Sequence, residues 1–187
     1  MSVLVVAALE EETRAFDGHL EVLHTGVGKV QAAAALAARL AHDPAELVVS
    51  VGTAGGLQGQ AIGTVVEVGR VHQHDFDHAG VSRFVGRPLP GGPLAVDGPE
   101  GAAGRLATGD RLITSAADRD RLARHADVVD MEGYAVAATA RAFSRQVWIA
   151  KAVSDRAGED VAVEWPEALA RCSAALLAWV EARGLLG

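Results

Sequence analysis

The sequence predicts an α/β fold, a three-layer sandwich with a mixed central β-sheet flanked by helices, as a single domain over residues 1–187. Three observations predict it. Apolar runs of strand length recur along the chain, they alternate with helix-length segments rich in Ala and Leu, and half of the 187 residues are hydrophobic. A chain of this size buries about 70% of its unfolded surface in one core.

Residues 3–8 form an unbroken apolar run, which suits a strand covered on both faces. Residues 47–51, 64–71, 128–131 and 147–153 repeat the pattern: short, β-branched and bounded by Gly, Asp or Ser. Helices are expected between them. Lys29–His42 ends before Asp43-Pro44, where proline stops a helix by lacking an N–H. Thr114-Ser115 opens a second helix with Asp118 in its first turn, and 133–143 gives a third. The last spans 165–185, with Pro166 in its first turn, where proline fits well. Residues 72–105 break the rhythm, gathering four of the six prolines with little periodicity. A segment this long inside one domain is expected to be a functional loop: a lid, a partner contact, or both.

Charge narrows the function. Seventeen Lys and Arg against 24 Asp and Glu give a net charge of -7, the wrong sign for a broad nucleic-acid footprint. No apolar run approaches the roughly 20 residues of a membrane helix, so no membrane partner is expected. The single cysteine, Cys172, has no intramolecular partner, and the first residues lack the basic flank and cleavage site of a signal peptide. The expected compartment is the cytoplasm.

Two motifs fail on inspection. Gly26-Val27-Gly28-Lys29 invites a phosphate-loop reading, but the required Gly and Ser/Thr positions hold Leu23 and Val30, and the third glycine of a dinucleotide fingerprint falls at Gln31. What remains is either a plain strand-to-helix turn or a place where a ligand approaches the backbone closely. His72, His74 and His78, interleaved with Asp75 and Asp77, match no standard zinc spacing. A polar loop is expected there, and no metal.

A set of segments in fixed order says more. Glu10-Glu11-Glu12 ends the first strand, followed by Thr25-Gly26-Val27-Gly28-Lys29, Gly52-Thr53-Ala54-Gly55-Gly56, Ala107-Thr108-Gly109-Asp110, Asp130-Met131-Glu132-Gly133 and Ser154-Asp155. In this order and wording the chain resembles the purine nucleoside phosphorylase superfamily over nearly its whole length. The Glu-Glu-Glu ending is similar to the branch that cleaves 5′-methylthioadenosine and S-adenosylhomocysteine with water. The resemblance implies a nucleoside phosphorylase-like fold, a small purine nucleoside as substrate, no cofactor and a homodimer.

Breaking a purine N-glycosidic bond leaves an electron-poor sugar and an electron-rich base, so acidic groups in different environments are wanted. The resemblance assigns them. Asp155 would protonate the leaving purine, Glu132 would hold the sugar hydroxyls and oppose the developing positive charge, and Glu12 would activate water. Met131 would pack on the sugar, the backbone around Leu112 and Ile113 would read the base edge, and Thr53 and Ala54 would line the sugar side. Val27 and Ser154 complete the implied substrate contacts. The residues alone leave rivals: Glu12 as a solvated first-turn carboxylate, Met131 as ordinary core, Asp155 as a turn or cap.

The chain also departs from the pattern. Leu112 stands where an aromatic ring often stacks on the purine, Lys151 stands where an arginine is common beside Asp155, and the chain is short within 72–105. A phosphorylase would need arginines to clamp phosphate. Residues 48–57 have none and the glycine turn offers only Lys29, which favours water. Futalosine hydrolase is an alternative of the same chemistry. A noncatalytic nucleoside-binding module is the alternative of another class, but it has no need of three separately placed carboxylates.

Overall fold

Each unbroken apolar run turns out to have two cores to serve. In the computed structural model, which describes residues 2–186, strand β1 (Val3–Ala7) sends Leu4 and Val6 to one side of the sheet and Val5 and Ala7 to the other. Strands β3 (Leu47–Gly56) and β8 (Gln146–Asp155) do the same, with Val48 and Ile149 on the first side and Val49 and Ala150 on the second. Side chains alternate along a strand, so only a sheet covered on both faces makes every position apolar.

Helices α1 (Lys29–His42) and α4 (Gly133–Ala142) cover the first face through Leu36, Leu40, Ala137 and Ala140. Helix α5 (Val161–Ala182) covers the second through Ala168, Cys172, Leu176 and Val180. The three layers are those expected. A smaller cluster packs Leu122, from helix α3 (Ala116–Ala123), against Ile113, Ala107 and Val129. Ser115 caps α3 by accepting from the Asp118 N–H at 3.2 Å.

The sheet is mixed and closes on itself. β1 lies parallel between β2 (Val22–His24) and β3, and β3 pairs in parallel with β8. β8 runs antiparallel to β4 (Val65–Gln73), which is parallel to β6 (Gly104–Thr108), itself parallel to β7 (Val128–Asp130). β7 then returns to β3, pairing antiparallel with Gly55 and Gly56. A register shift between Ala54 and Gly55 lets the end of β3 leave β8 and reach β7. The site is tight for a side chain, because a Cβ on Gly55 would lie 3.0 Å from the Asp155 carboxylate and 3.2 Å from Val129, so these neighbours would have to give way.

Two expectations are corrected. Helix α5 begins at Val161, not at residue 165, so Pro166 is inside the helix rather than in its first turn. Two β-branched valines disguise the first turn in the sequence. Residues 72–105 are not one loop: they hold the end of β4, helix α2 (His78–Val85), the short strand β5 (Leu94–Ala95) on the β4 edge, and the start of β6. Asp77 caps α2 by accepting from the Gly80 N–H at 2.8 Å, and Gly86 ends it with φ 75°. No residue of α2 is buried, and Phe84 is 92% exposed. The three histidines diverge: His78 bonds the Leu89 carbonyl at 2.7 Å while the His74 ring covers Gly109. Among the described residues no group of His, Cys, Asp or Glu is arranged to hold a metal ion, and no helix is long and apolar enough to cross a membrane.

Candidate active site

Four carboxylates from four different elements converge at one edge of the sheet. Glu12 comes first, from the short 3₁₀ turn Glu10–Glu12 that follows β1. Its Oε1 accepts from the Thr53 N–H at 2.7 Å and the Thr53 hydroxyl at 2.6 Å, and its Oε2 accepts from the Leu9 N–H at 3.2 Å. With 5% of its surface exposed, Glu12 is not a solvated first-turn carboxylate. The peptide N–H of Thr53 is available because β1 pairs with β3 only as far as Ser50, and at the intervening Gly52 a Cβ would lie 3.2 Å from both Glu12 Oε1 and Lys151 Nζ.

Glu132 stands at the N-terminus of α4, and its Oε1 accepts from the Gly28 N–H at 2.8 Å. The neighbouring Lys29 N–H is taken by Asp110 Oδ1 at 2.8 Å. The glycine turn therefore grips the protein's own carboxylates, and Gly28, at φ 95°, has the backbone that makes this approach possible. Burial and the nearby Asp130 charge push the Glu132 carboxyl up to about 7, against the opposing pull of Lys151 and the Gly28 N–H.

Beneath Glu132, Asp130 ends β7. Its Oδ1 accepts from the Thr108 hydroxyl at 2.6 Å, and its Oδ2 accepts from the Gly133 N–H at 2.8 Å and lies 3.0 Å from Lys151 Nζ. Lys151 is buried mid-strand in β8. Burial alone would lower its pKa, but Asp130, Glu132 and Glu12 together hold it above the ordinary lysine value. Lys151, which stands where an arginine is common, makes its ion pair with Asp130. Thr108 and Asp110, which belong to a quoted segment, support Asp130 and α1.

Asp155 ends β8, beside the bend in β3. Its Oδ1 accepts from the Ala157 N–H at 2.8 Å, and its Oδ2 accepts from the Ser154 hydroxyl at 2.7 Å. The first bond makes Asp155 a turn residue. The Ser154 oxygen also lies 3.4 Å from the Ala54 carbonyl, a second acceptor for its one proton.

These groups face a cavity of about 280 Å³. Glu12, Thr53, Ala54, Asp130, Met131, Glu132, Ser154 and Asp155 line it, Val27 and Leu112 stand at its mouth, and among the described residues no Lys, Arg or His lines it. Met131 is a lining residue rather than core. The Ile113 side chain is buried in the α3 cluster and borders a smaller, adjoining cavity of about 40 Å³ with Leu112 and Met131, a position that leaves the expectation for its backbone untouched. Val161, Ala162 and Trp165 form the remaining wall from α5, and they were not foreseen. The available signal was Trp165 itself, an amphipathic ring whose N–H needs a partner when half-buried.

Residues 17–181 match the family model of the phosphorylase superfamily. The chain belongs to that superfamily. Within it, the chain is 29% identical over 186 residues to the 5′-methylthioadenosine/S-adenosylhomocysteine nucleosidase of Bacillus subtilis, covering 88% of this chain and 80% of that protein. The nucleosidase of Neisseria meningitidis, solved with methylthio-immucillin-A, superposes with a TM-score of 0.81 at 27% identity, covering 92% of this chain and 94% of that one. Futalosine hydrolase of Helicobacter pylori shares the fold, with a TM-score of 0.79 at 19% identity over 96% of this chain and 97% of that one. This superfamily member thus has a mixed, closed sheet whose strand ends carry the carboxylates of the cavity.

Proposed function

We propose that the protein is a nucleoside hydrolase that breaks the N-glycosidic bond of a purine nucleoside such as 5′-methylthioadenosine or S-adenosylhomocysteine. The observation that carries this reading is the lining of the cavity: four carboxylates and no cation. A phosphate nucleophile would meet only like charge there. The N–H groups of Gly28 and Lys29, which would otherwise be an anion site at a helix N-terminus, already hold Glu132 and Asp110. Water carries no such penalty, and a positively charged sugar is favoured.

Three of the carboxylates then have a task in the reaction, while Asp130 stays paired with Lys151. Glu132 keeps one oxygen on Gly28, which leaves the other for the sugar hydroxyls and the charge developing beside them. When the Ser154 proton turns to the Ala54 carbonyl, Asp155 Oδ2 is free to carry a proton to the base nitrogen as the bond breaks and its electron pair moves to the purine. Water adds to the sugar carbon and gives its proton to Glu12. Met131 packs against the sugar, Thr53 and Ala54 line its side, and Val27 and Leu112 close over the base.

The reading extends to a cytoplasmic homodimer. Supporting the dimer are Phe84 and Val85, exposed apolar residues on an outward-facing helix; supporting the compartment is a single cysteine, Cys172, buried as a free thiol.

The test is incubation with 5′-methylthioadenosine, S-adenosylhomocysteine, futalosine and common purine nucleosides, with and without phosphate, followed by chromatography of free base. Base release without phosphate is expected, together with a roughly 10²- to 10⁴-fold loss of turnover in Asp155→Asn. Release only with phosphate would overturn the choice of nucleophile. No release at all would favour a binding module.

A further inference from the structure

We propose that Trp165 is a positioning residue that acts on Glu12 through Thr53, holding Glu12 as a proton acceptor in the hydrolysis. The inference rests on the role given to Glu12 above. Its argument is the direction of each hydrogen bond. The indole N–H of Trp165 can only donate, and it lies 3.0 Å from the Thr53 hydroxyl oxygen. That hydroxyl has one proton, and its oxygen lies 2.6 Å from Glu12 Oε1. With the indole occupying a lone pair, the proton is directed to Glu12.

The other neighbours agree. The Thr53 N–H donates to the same Oε1 and the Leu9 N–H donates to Oε2. Every hydrogen-bond partner that holds Glu12 is therefore a donor, so both of its oxygens are fixed in place as acceptors facing the cavity. A phenyl ring at this position would fill similar space but leave the hydroxyl free to turn away. The bond also joins α5 to β3 one residue before Pro166, whose ring removes a helical hydrogen bond.

Two measurements test the proposal. The first needs no substrate: the indole ¹⁵N–¹H resonance of Trp165 is identified by its loss in Trp165→Phe, then followed in Thr53→Val and Glu12→Gln. It is expected to shift in both variants, because Val removes the acceptor and Gln introduces a competing donor. A resonance unmoved in both overturns the chain.

The second is a double-mutant cycle in kcat. Trp165→Phe is expected to lower kcat roughly 3- to 10-fold, the worth of one neutral hydrogen bond, with KM changed less than about 2-fold. In a Thr53→Val background the same change should alter kcat by less than about 2-fold. A raised KM with unchanged kcat, or full multiplicative loss in both backgrounds, would make Trp165 only a wall of the cavity and overturn the proposal. Should Trp165→Phe fold poorly, replacement by benzothienylalanine, with sulfur in place of the N–H, gives the same comparison at constant shape. A wild-type protein that releases no base defeats the hydrolase reading alone, since the indole shifts still decide the chain.

Discussion

Glu132 keeps its proton to about pH 7 once folded, whereas in the unfolded chain it releases it in the ordinary carboxylate range. The folded state therefore binds the extra proton between those limits, and this group's contribution to stability is lost as pH rises towards and through about 7. Its ionised form is the one that opposes positive charge on a sugar, so kcat/KM should climb across the same interval. Calorimetry at pH 5 and pH 8 should show a steeper fall in Tm for the wild type than for Glu132→Gln, which has no carboxyl to titrate; comparing the two cancels the other titrating groups. Parallel falls would mean that Glu132 is already ionised at pH 5. In the sequence, the placement of Glu132, Glu12 and Asp155 after strands was legible because ligands collect at strand ends in α/β sheets. Their hydrogen-bond partners were not: Gly28 reaches Glu132 from 104 residues away, and no local pattern encodes that distance.

The same limit governs the elements. Strand β8 was readable from its β-branched run, yet the face each residue takes depends on register with β3 and β4. Lys151 pairs in register with Gly52 on one side and Val66 on the other, which turns its ammonium towards Asp130 rather than Asp155. This ion pair is almost wholly enclosed, with 3% and 1% of the two side chains exposed. Removing one partner leaves the other charge buried without compensation. Lys151→Met should accordingly lose about 3–5 kcal/mol in urea unfolding, and adding Asp130→Asn should recover part of it; additive losses would mean the pair is uncoupled. Helix α1 was read to its ends because Pro44 stops it and Lys29 follows glycine. Helix α5 begins four residues before its sequence signal and α2 carries no such signal, because both begin with sequences whose local preference is not helical: two valines in α5, glycine and valine in α2.

For the whole molecule, α/β layering followed from composition and periodicity, while closure of the sheet did not, since it depends on a glycine pair at the end of β3 meeting β7. Outside that closed sheet, helix α2 leaves Phe84, Val81 and Val85 exposed. The homodimer proposed above buries such a patch, so light scattering at micromolar concentration should give twice the chain mass, and Phe84→Glu should shift the protein towards monomer. A wild-type monomer with full activity would exclude a dimer requirement.

The ring formed by β3, β8, β4, β6 and β7 has a consequence in time. β3 meets β8 across about a hundred residues of chain, with Leu47 opposite Gln146 and Gly55 opposite Asp155. Contacts of such span are slow to form, because chain entropy must be surrendered before they stabilise anything. During synthesis, β3 emerges long before its partner exists, and Glu12 and Thr53 have neither Asp155 nor the α5 wall to complete a cavity. The nascent chain is therefore blind to its ligand. Nucleoside binding begins only when the last strand has slotted in and α5 has docked, so bound ligand counts finished molecules and nothing else.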